Sequence, residues 1–157
     1  MKKMVLQVLV ILLLVGVMSL PAWTPVGAEE MACPEHTPVS IDIKPGSYPN
    51  SIRLSSKGLV PIAVLTTPDF DARQFMPEMA HLMDANTDVS GGCPGPMAFR
   101  WVRDDVNEDG QPDLVFLFKT QDLNLTPNST AATLMAHGLY GLTTLHIMGT
   151  DTVKVKP

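Results

Sequence analysis

Short apolar runs, separated by Gly, Pro, Asn and Asp, fill the chain from Pro34 to its end. Few of them show the 3.6-residue period of an amphipathic helix, whereas residues 39–44 alternate apolar and polar side chains as a half-buried strand does. The other predicted strands are residues 51–54, 59–67, 98–105, 114–120, 132–141, 142–149 and 151–156. About seven strands without a long helix predict an all-β fold, an antiparallel, Ig-like β-sandwich.

Two segments interrupt this pattern. Pro61 lies inside the strand predicted at residues 59–67, and proline lacks the N–H that a ladder needs. We therefore expect this strand to start late, to lie at an edge or to carry a bulge. Residues 70–83, FDARQFMPEMAHLM, are expected to form one or two helical turns, limited by Pro77. Residues 84–96 have the composition of a loop.

The first 28 residues have the features of a secretory signal peptide. Lys2 and Lys3 precede an apolar run over residues 4–20, and Val26 and Ala28 occupy the small-residue positions of a cleavage site. The alternative is an uncleaved membrane anchor, for which this run is short. We predict a signal peptide at residues 1–28, export to the cell exterior or periplasm, and a single domain at residues 29–157.

The mature domain is acidic. Cleavage would remove two of the 11 Lys and Arg residues and none of the 16 Asp and Glu residues, leaving a net charge of −7. Nucleic acids and anionic membranes both select clustered Lys and Arg, and the sequence has no such cluster. The composition therefore argues against both partners and is compatible with a cation ligand or with a plain soluble surface.

Cys33 and Cys93 are the only two cysteines of the chain. An even count in a chain predicted to reach an oxidising compartment favours a disulfide bridge between them, and the alternative is two unpaired thiols. Closing a loop of this length would stabilise the domain by about 4 kcal/mol in the chain-entropy model.

The segment DVNEDGQPDLV, residues 105–115, carries the most specific chemistry in the chain. Oxygen-bearing side chains alternate and a glycine, Gly110, follows them; the proposed ligands are Asp105, Asn107, Asp109 and Asp113 through side-chain oxygens and Gln111 through its carbonyl. Alternating oxygen ligands with a glycine at the sixth position are what a Ca²⁺ loop requires. Mutual repulsion of the carboxylates would be relieved by a bound cation. The alternative is a solvated turn that binds no ion.

The loop departs from an EF-hand at its twelfth position. A bidentate glutamate belongs there, but Phe116 occupies it, inside a predicted strand. The loop is therefore expected to join two strands, with a further ligand from elsewhere: Asp69, Asp71, Asp104, Asp122 or water.

Three segments also carry a family resemblance. IDIKPGSYPNSIRLSSKGLVPIAVLTTPDFDA, WVRDDVNEDGQPDLVFLFKTQDL and TDTVKVKP resemble a domain that recurs in secreted and surface proteins of bacteria and archaea. The acidic loop is similar to the cation loops of dockerins, thrombospondin type 3 repeats and integrin-like propeller repeats, and this likeness implies Ca²⁺ as the cofactor. Glu108 replaces the glycine of the family pattern, and residues 70–97 match it poorly.

No catalytic constellation is visible. His36, His81, His137 and His146 lie outside any metalloprotease or nucleophile-elbow motif, so we predict a protein that is not an enzyme. The predicted function is a secreted Ca²⁺-binding module with a structural or adhesive role, whose partners would be surface proteins or glycans. Trp101 would stack on a carbohydrate if exposed, although its position in a strand favours burial.

Copper binding is the alternative function. MPEMAHLM brings Met76, Met79, His81 and Met83 together in sequence, while Met135 is near His137 and His146 is near Met148. Thioethers with imidazoles suit copper, and exported proteins handle this metal. Methionine also fills apolar gaps without any ligand role, which is its commoner use.

Overall fold

The computed structural model describes residues 35–89 and 95–157, which belong to one compact unit. The predicted signal peptide and the predicted bridge between Cys33 and Cys93 lie outside these residues. Ten strands are described: β1 Thr37–Pro38, β2 Ile41–Ile43, β3 Ser51–Arg53, β4 Leu59–Val64, β5 Phe75–Asp84, β6 Arg100–Asp104, β7 Asp113–Lys119, β8 Ala131–Tyr140, β9 Thr143–Thr152 and β10 Lys154–Lys156. Short 3₁₀ turns occupy Ala72–Gln74 and Thr120–Asp122.

The strands form two four-stranded sheets and one two-stranded ribbon. The first sheet has the order β1-β9-β8-β5, the second β2-β4-β7-β6, and the ribbon pairs β10 with β3. Both large sheets supply one core, with Ile62 and Phe116 from the second sheet and Leu134 and Ile147 from the first. The prediction of an all-β sandwich is confirmed. The described strands number ten rather than about seven, and the pairs β1–β9 and β10–β3 are parallel.

Pro61 lies inside β4, opposite the end of a neighbouring strand. β2 stops at Ile43, which pairs with Ile62, and the carbonyl of Pro61 accepts a hydrogen bond from the Lys44 amide at 2.8 Å. On its other side β4 continues, with Pro61 in register with Leu117 of β7. Because β2 ends at Ile43, Pro61 lies at a local edge of the sheet although β4 is an interior strand. Its missing N–H therefore costs little.

The helical prediction for residues 70–83 holds only for the turn Ala72–Gln74 and is wrong for the rest. The Asp71 carboxylate caps the start of this turn by accepting the Arg73 amide at 3.0 Å, and the turn ends at Phe75. Beyond it, β5 pairs with β8 along its whole length and buries Phe75, Ala80 and Leu82 in the core. A register shift between Pro77 and Met79 accommodates the proline. The pairing of β5 with β8 and the burial of its side chains in the core thus outweigh the local preference for a helix.

The first sheet has a core face and an outer face. Ala136 and Ile147 point to the core, so their neighbours in sequence point outward, because successive strand residues alternate. This outer face comprises Met79, His81 and Met83 of β5, Thr133, Met135 and His137 of β8, and His146, Met148 and Thr150 of β9. Within residues 35–89 and 95–157, no helix has the length and hydropathy of a membrane span.

Candidate functional site

The acidic loop is the connection between two adjacent antiparallel strands. Asp104 at the end of β6 pairs with Asp113 at the start of β7, so residues 105–112 form the hairpin loop at one end of the second sheet. The prediction that the loop joins strands is confirmed. A rigid hairpin holds both ends of the loop at a fixed separation, and this favours a defined loop conformation.

Asp105 organises the loop from its first position. Its Oδ1 accepts a hydrogen bond from the Asp109 amide at 3.1 Å, and its Oδ2 accepts one from the Gly110 amide at 2.8 Å. The carboxylate therefore faces back across the loop, toward the residues four and five positions later. The two hydrogen bonds fix the backbone of residues 105–110 in a compact turn.

Asn107 and Asp109 continue the same pattern. Asn107 Oδ1 accepts from the Asp109 amide at 3.2 Å, and Asn107 Nδ2 donates to Asp109 Oδ2 at 3.0 Å. Asp109 Oδ1 in turn accepts from the Gln111 amide at 2.8 Å. Three of the predicted ligands are thus connected to one another through hydrogen bonds, and Gln111 is joined to them through its amide.

Asp113 differs from the other predicted ligands because it is completely buried, with 0% of its surface exposed. Its Oδ1 accepts from the Thr66 amide at 2.8 Å, and its Oδ2 accepts from the Val106 amide at 3.2 Å. The Thr66 hydroxyl also donates to the Pro112 carbonyl at 2.8 Å. Asp113 therefore ties the loop to the segment after β4. Each carboxylate oxygen has a second lone pair beyond the one that an N–H occupies.

No preformed metal cage exists in the part of the chain that the structure describes: no three His, Cys, Asp or Glu side chains there are arranged to hold an ion. Asp71, one of the possible extra ligands, is already engaged. It forms an ion pair with Arg73 Nε at 2.8 Å, and this hydrogen-bonded contact holds the pKa of the Asp71 carboxyl well below its usual range. Each oxygen of Asp105 and Asp109 that accepts a loop amide keeps a second lone pair for a cation.

The loop contains two left-handed backbone positions, Glu108 with φ of 60° and Gly110 with φ of 85°. Glycine adopts this region freely, whereas a residue with a Cβ is strained there by about 1–2 kcal/mol. Glu108 therefore occupies a position that the fold of the loop assigns to glycine.

We expect Glu108→Gly to raise the free energy of unfolding by about 0.5–1 kcal/mol. The variant relieves the left-handed strain, and the greater freedom of glycine in the unfolded chain offsets part of this gain. Urea denaturation in EDTA measures the change. Glu108→Gln is the control, since it removes the same charge but keeps the strain, and an equal gain there would assign the effect to charge.

A second polar cluster explains the motif IDIKPGSYPN. Asp151 Oδ2 accepts from the Ile43 amide at 3.0 Å and from Asn50 Nδ2 at 2.8 Å, and Asn50 Nδ2 also donates to the Thr152 carbonyl at 3.0 Å. Burial, together with the charge of Asp151, raises the pKa of Asp42. The cluster borders an open groove of about 510 Å³, where Tyr48 is 94% exposed. These contacts join the first part of the domain to its last strands.

Trp101 is 38% exposed, so the expectation of burial is wrong. The Arg103 guanidinium lies 5.5 Å from the centre of its ring, and Phe99 on the same side of β6 is 58% exposed. Both aromatic rings flank the hairpin that carries the acidic loop. The Lys119 ammonium lies 5.0 Å from the centre of the Phe99 ring, so a cation covers one face of each ring.

Sequence reasoning missed a row of histidines on the outer face. His137 of β8 pairs directly with His146 of β9, and their ring centres are 5.5 Å apart. His36, next to β1, contacts His146 from the other side with ring centres 5.9 Å apart. The usable signal was the two-residue turn Gly141-Leu142, which fixes the register of β8 with β9 and places these two histidines opposite each other.

Comparison with models of protein families, with curated proteins and with solved structures found no match. The resemblance to the domain of secreted and surface proteins thus stays a prediction from its motifs.

Proposed function

We propose that this chain is an exported Ca²⁺-binding β-sandwich module with a structural or adhesive role and no catalytic activity. The observation that carries the proposal is the conformation of the loop at residues 105–112. Asp105 accepts two loop amides, and Asn107 and Asp109 accept one each, so these oxygen-bearing side chains contact the loop backbone instead of extending away from it.

The ligand chemistry supports a hard cation. Ca²⁺ takes six to eight oxygens at flexible geometry. Asp105, Asn107, Asp109 and Asp113 would supply side-chain oxygens, Gln111 its carbonyl, and water the remainder. Asp113 would use the lone pairs that the Thr66 and Val106 amides leave free. All of these donors are oxygens, and none is the soft sulfur that copper or zinc sites prefer.

The position of the loop supports a structural role. It closes the hairpin of β6 and β7, and Asp113 fastens that hairpin to the segment after β4. An ion that binds the folded loop and not the unfolded chain stabilises the domain, as mass action requires. The exposed rings of Trp101 and Phe99 beside this hairpin support adhesion to a surface protein or glycan.

The proposal predicts a melting temperature that depends on Ca²⁺. At 100 times the dissociation constant, binding stabilises the fold by about 2.7 kcal/mol, which raises the melting temperature of a domain of this size by roughly 8–15 °C relative to EDTA. The double variant Asp105→Ala/Asp109→Ala should lose this rise. Scanning calorimetry of the purified protein in Ca²⁺ and in EDTA is the measurement.

Glu35→Ala/Glu78→Ala is the control for this experiment. It removes two exposed carboxylates away from the loop and should keep the full rise. An undiminished rise in the Asp105→Ala/Asp109→Ala variant would move the ion to other residues.

Copper binding remains the alternative function, and a specific observation favours it. Met83, Met135 and Met148 all belong to the outer face and line one cavity of about 210 Å³. Thioether sulfurs at such a site select Cu(I) over harder ions. His81 from the same predicted cluster is held through Nδ1 by the Gly95 carbonyl at 3.0 Å.

A further inference from the structure

Three of the four histidines of the chain lie side by side on the outer face. His137 and His146 are opposite each other in the β8–β9 ladder, and His36 immediately precedes Thr37, which pairs with Ile147 in the parallel β1–β9 ladder. The three histidines therefore lie next to one another, on β8, on β9 and just before β1. Met79 of β5 pairs with His137 and extends the row by a thioether.

The geometry of the β8–β9 ladder brings the imidazoles of His137 and His146 as close together as an antiparallel sheet allows. The Val153 amide donates to the Thr130 carbonyl, which makes Thr130 and Val153 a hydrogen-bonded pair. Counting along β8 in steps of two, His137 and His146 then form a non-hydrogen-bonded pair. Side chains in such pairs are the closest in an antiparallel ladder, with Cα atoms about 4.5 Å apart.

The three histidines are partly exposed, and their rings have few polar contacts. The His137 side chain is 32% exposed, and its only polar contact in the described part of the chain is Glu78 Oε2 at 3.9 Å from Nε2. His36 and His146 are partly buried, and the described residues give their rings aromatic contacts rather than hydrogen bonds.

We propose that His36, His137 and His146 bind a Cu(II) ion on the outer face, at a site independent of the acidic loop. Their ring centres, 5.9 and 5.5 Å apart, require side-chain rotation to bring three nitrogens onto one ion. Such rotation is available to partly exposed side chains, so the absence of a preformed cage among the described residues is expected.

Copper fits this row better than zinc for two reasons. Three ligands in one line place the middle nitrogen between the outer two, which suits the tetragonal geometry of Cu(II) rather than the tetrahedral geometry of Zn²⁺. For a given set of nitrogen ligands, Cu²⁺ also binds more tightly than any other divalent ion of the first transition row.

The test is a Cu(II) titration of the purified protein against a competing chelator, with electron paramagnetic resonance as the second readout. We expect His137→Ala/His146→Ala to weaken Cu(II) binding by more than about 100-fold, because even the loss of an outer partner of a metal ligand costs 10- to 100-fold. The wild-type spectrum should show hyperfine coupling to at least two nitrogens, and the variant should lose it. His36→Ala removes only the histidine at the edge of the sheet, so it should weaken Cu(II) binding by a smaller factor than the double variant does.

His81→Asn is the matched control. It removes a histidine from the same outer face while asparagine Nδ2 can still donate to the Gly95 carbonyl, so copper affinity should stay unchanged. Asp105→Ala/Asp109→Ala should also keep it, which separates failure of this site from failure of the calcium loop. Unchanged affinity in both histidine variants, equal loss in His81→Asn, or displacement of copper by equimolar Zn²⁺ would each overturn the proposal.

Discussion

Asp113→Ala is expected to lower the free energy of unfolding by about 3–5 kcal/mol, even in EDTA. The Asp113 carboxylate is buried and accepts the Thr66 and Val106 amides at 2.8 and 3.2 Å. Hydrogen bonds to charged groups contribute about 1.5–3 kcal/mol each, and a buried N–H left without an acceptor adds a desolvation cost. The loss should therefore arise from the fold itself, before any ion binds.

Guanidinium denaturation in EDTA measures this loss as a shift of the midpoint at unchanged slope. Asp113→Asn is the graded variant: its one remaining acceptor oxygen can still serve Thr66, so about half of the loss is expected. Asp105→Ala/Asp109→Ala changes one partly exposed and one exposed residue, so it should lose much less in EDTA. A loss below about 1 kcal/mol for Asp113→Ala would show that the buried carboxylate does not fasten the hairpin.

Asp113 also illustrates where sequence reasoning stops. The spacing of oxygens in DVNEDGQPDLV, with Phe116 in a strand, predicted a loop that joins two strands. It could not show that the last aspartate also accepts the amide of Thr66, which is 47 residues earlier in the chain. Contacts between distant segments depend on sheet topology, and a local motif carries no information about them.

The strands were predictable wherever the apolar pattern between turn residues was unbroken. β7 and the hairpin of β8 and β9 lie close to their predicted limits because apolar residues alternate or run continuously between turn residues. β5 was missed because the register shift between Pro77 and Met79 breaks its alternation, so that Met76, Met79 and Ala80 no longer follow one period. A bulge exists only where two strands pair, so the local sequence gives no signal of it. Local propensity alone favoured a helical turn there.

The histidine row depends on two separate strand pairings, β8 with β9 and β1 with β9. The β8–β9 register could be inferred from the turn, and it alone brings His137 opposite His146. The addition of His36 depends on β1 joining the far edge of the same sheet in parallel, a pairing between residues about 110 positions apart. That pairing leaves no local signature in the sequence, because parallel neighbours are joined by long connections.

Gly138→Ala is expected to lower the free energy of unfolding by about 3 kcal/mol, at the upper end of the usual cost of overpacking. A Cβ on Gly138 would stand 2.2 Å from the Met76 carbonyl oxygen and 2.8 Å from the Pro77 Cα. Both atoms belong to the backbone of β5 at its register shift, so no side-chain rotation can relieve the contact. The β5–β8 ladder would have to separate locally, which would weaken the pairing that holds β5 in the first sheet.

Gly58→Ala is the matched control, because a Cβ there would meet only the Ser56 hydroxyl at 3.3 Å. It should change the free energy of unfolding by less than about 0.5 kcal/mol, as surface substitutions usually do. Denaturation of both variants in EDTA gives the comparison, and hydrogen exchange of the β5 amides should quicken in Gly138→Ala alone. Equal stability of the two variants would mean that β5 and β8 lie farther apart at this point than the backbone contact with Met76 requires.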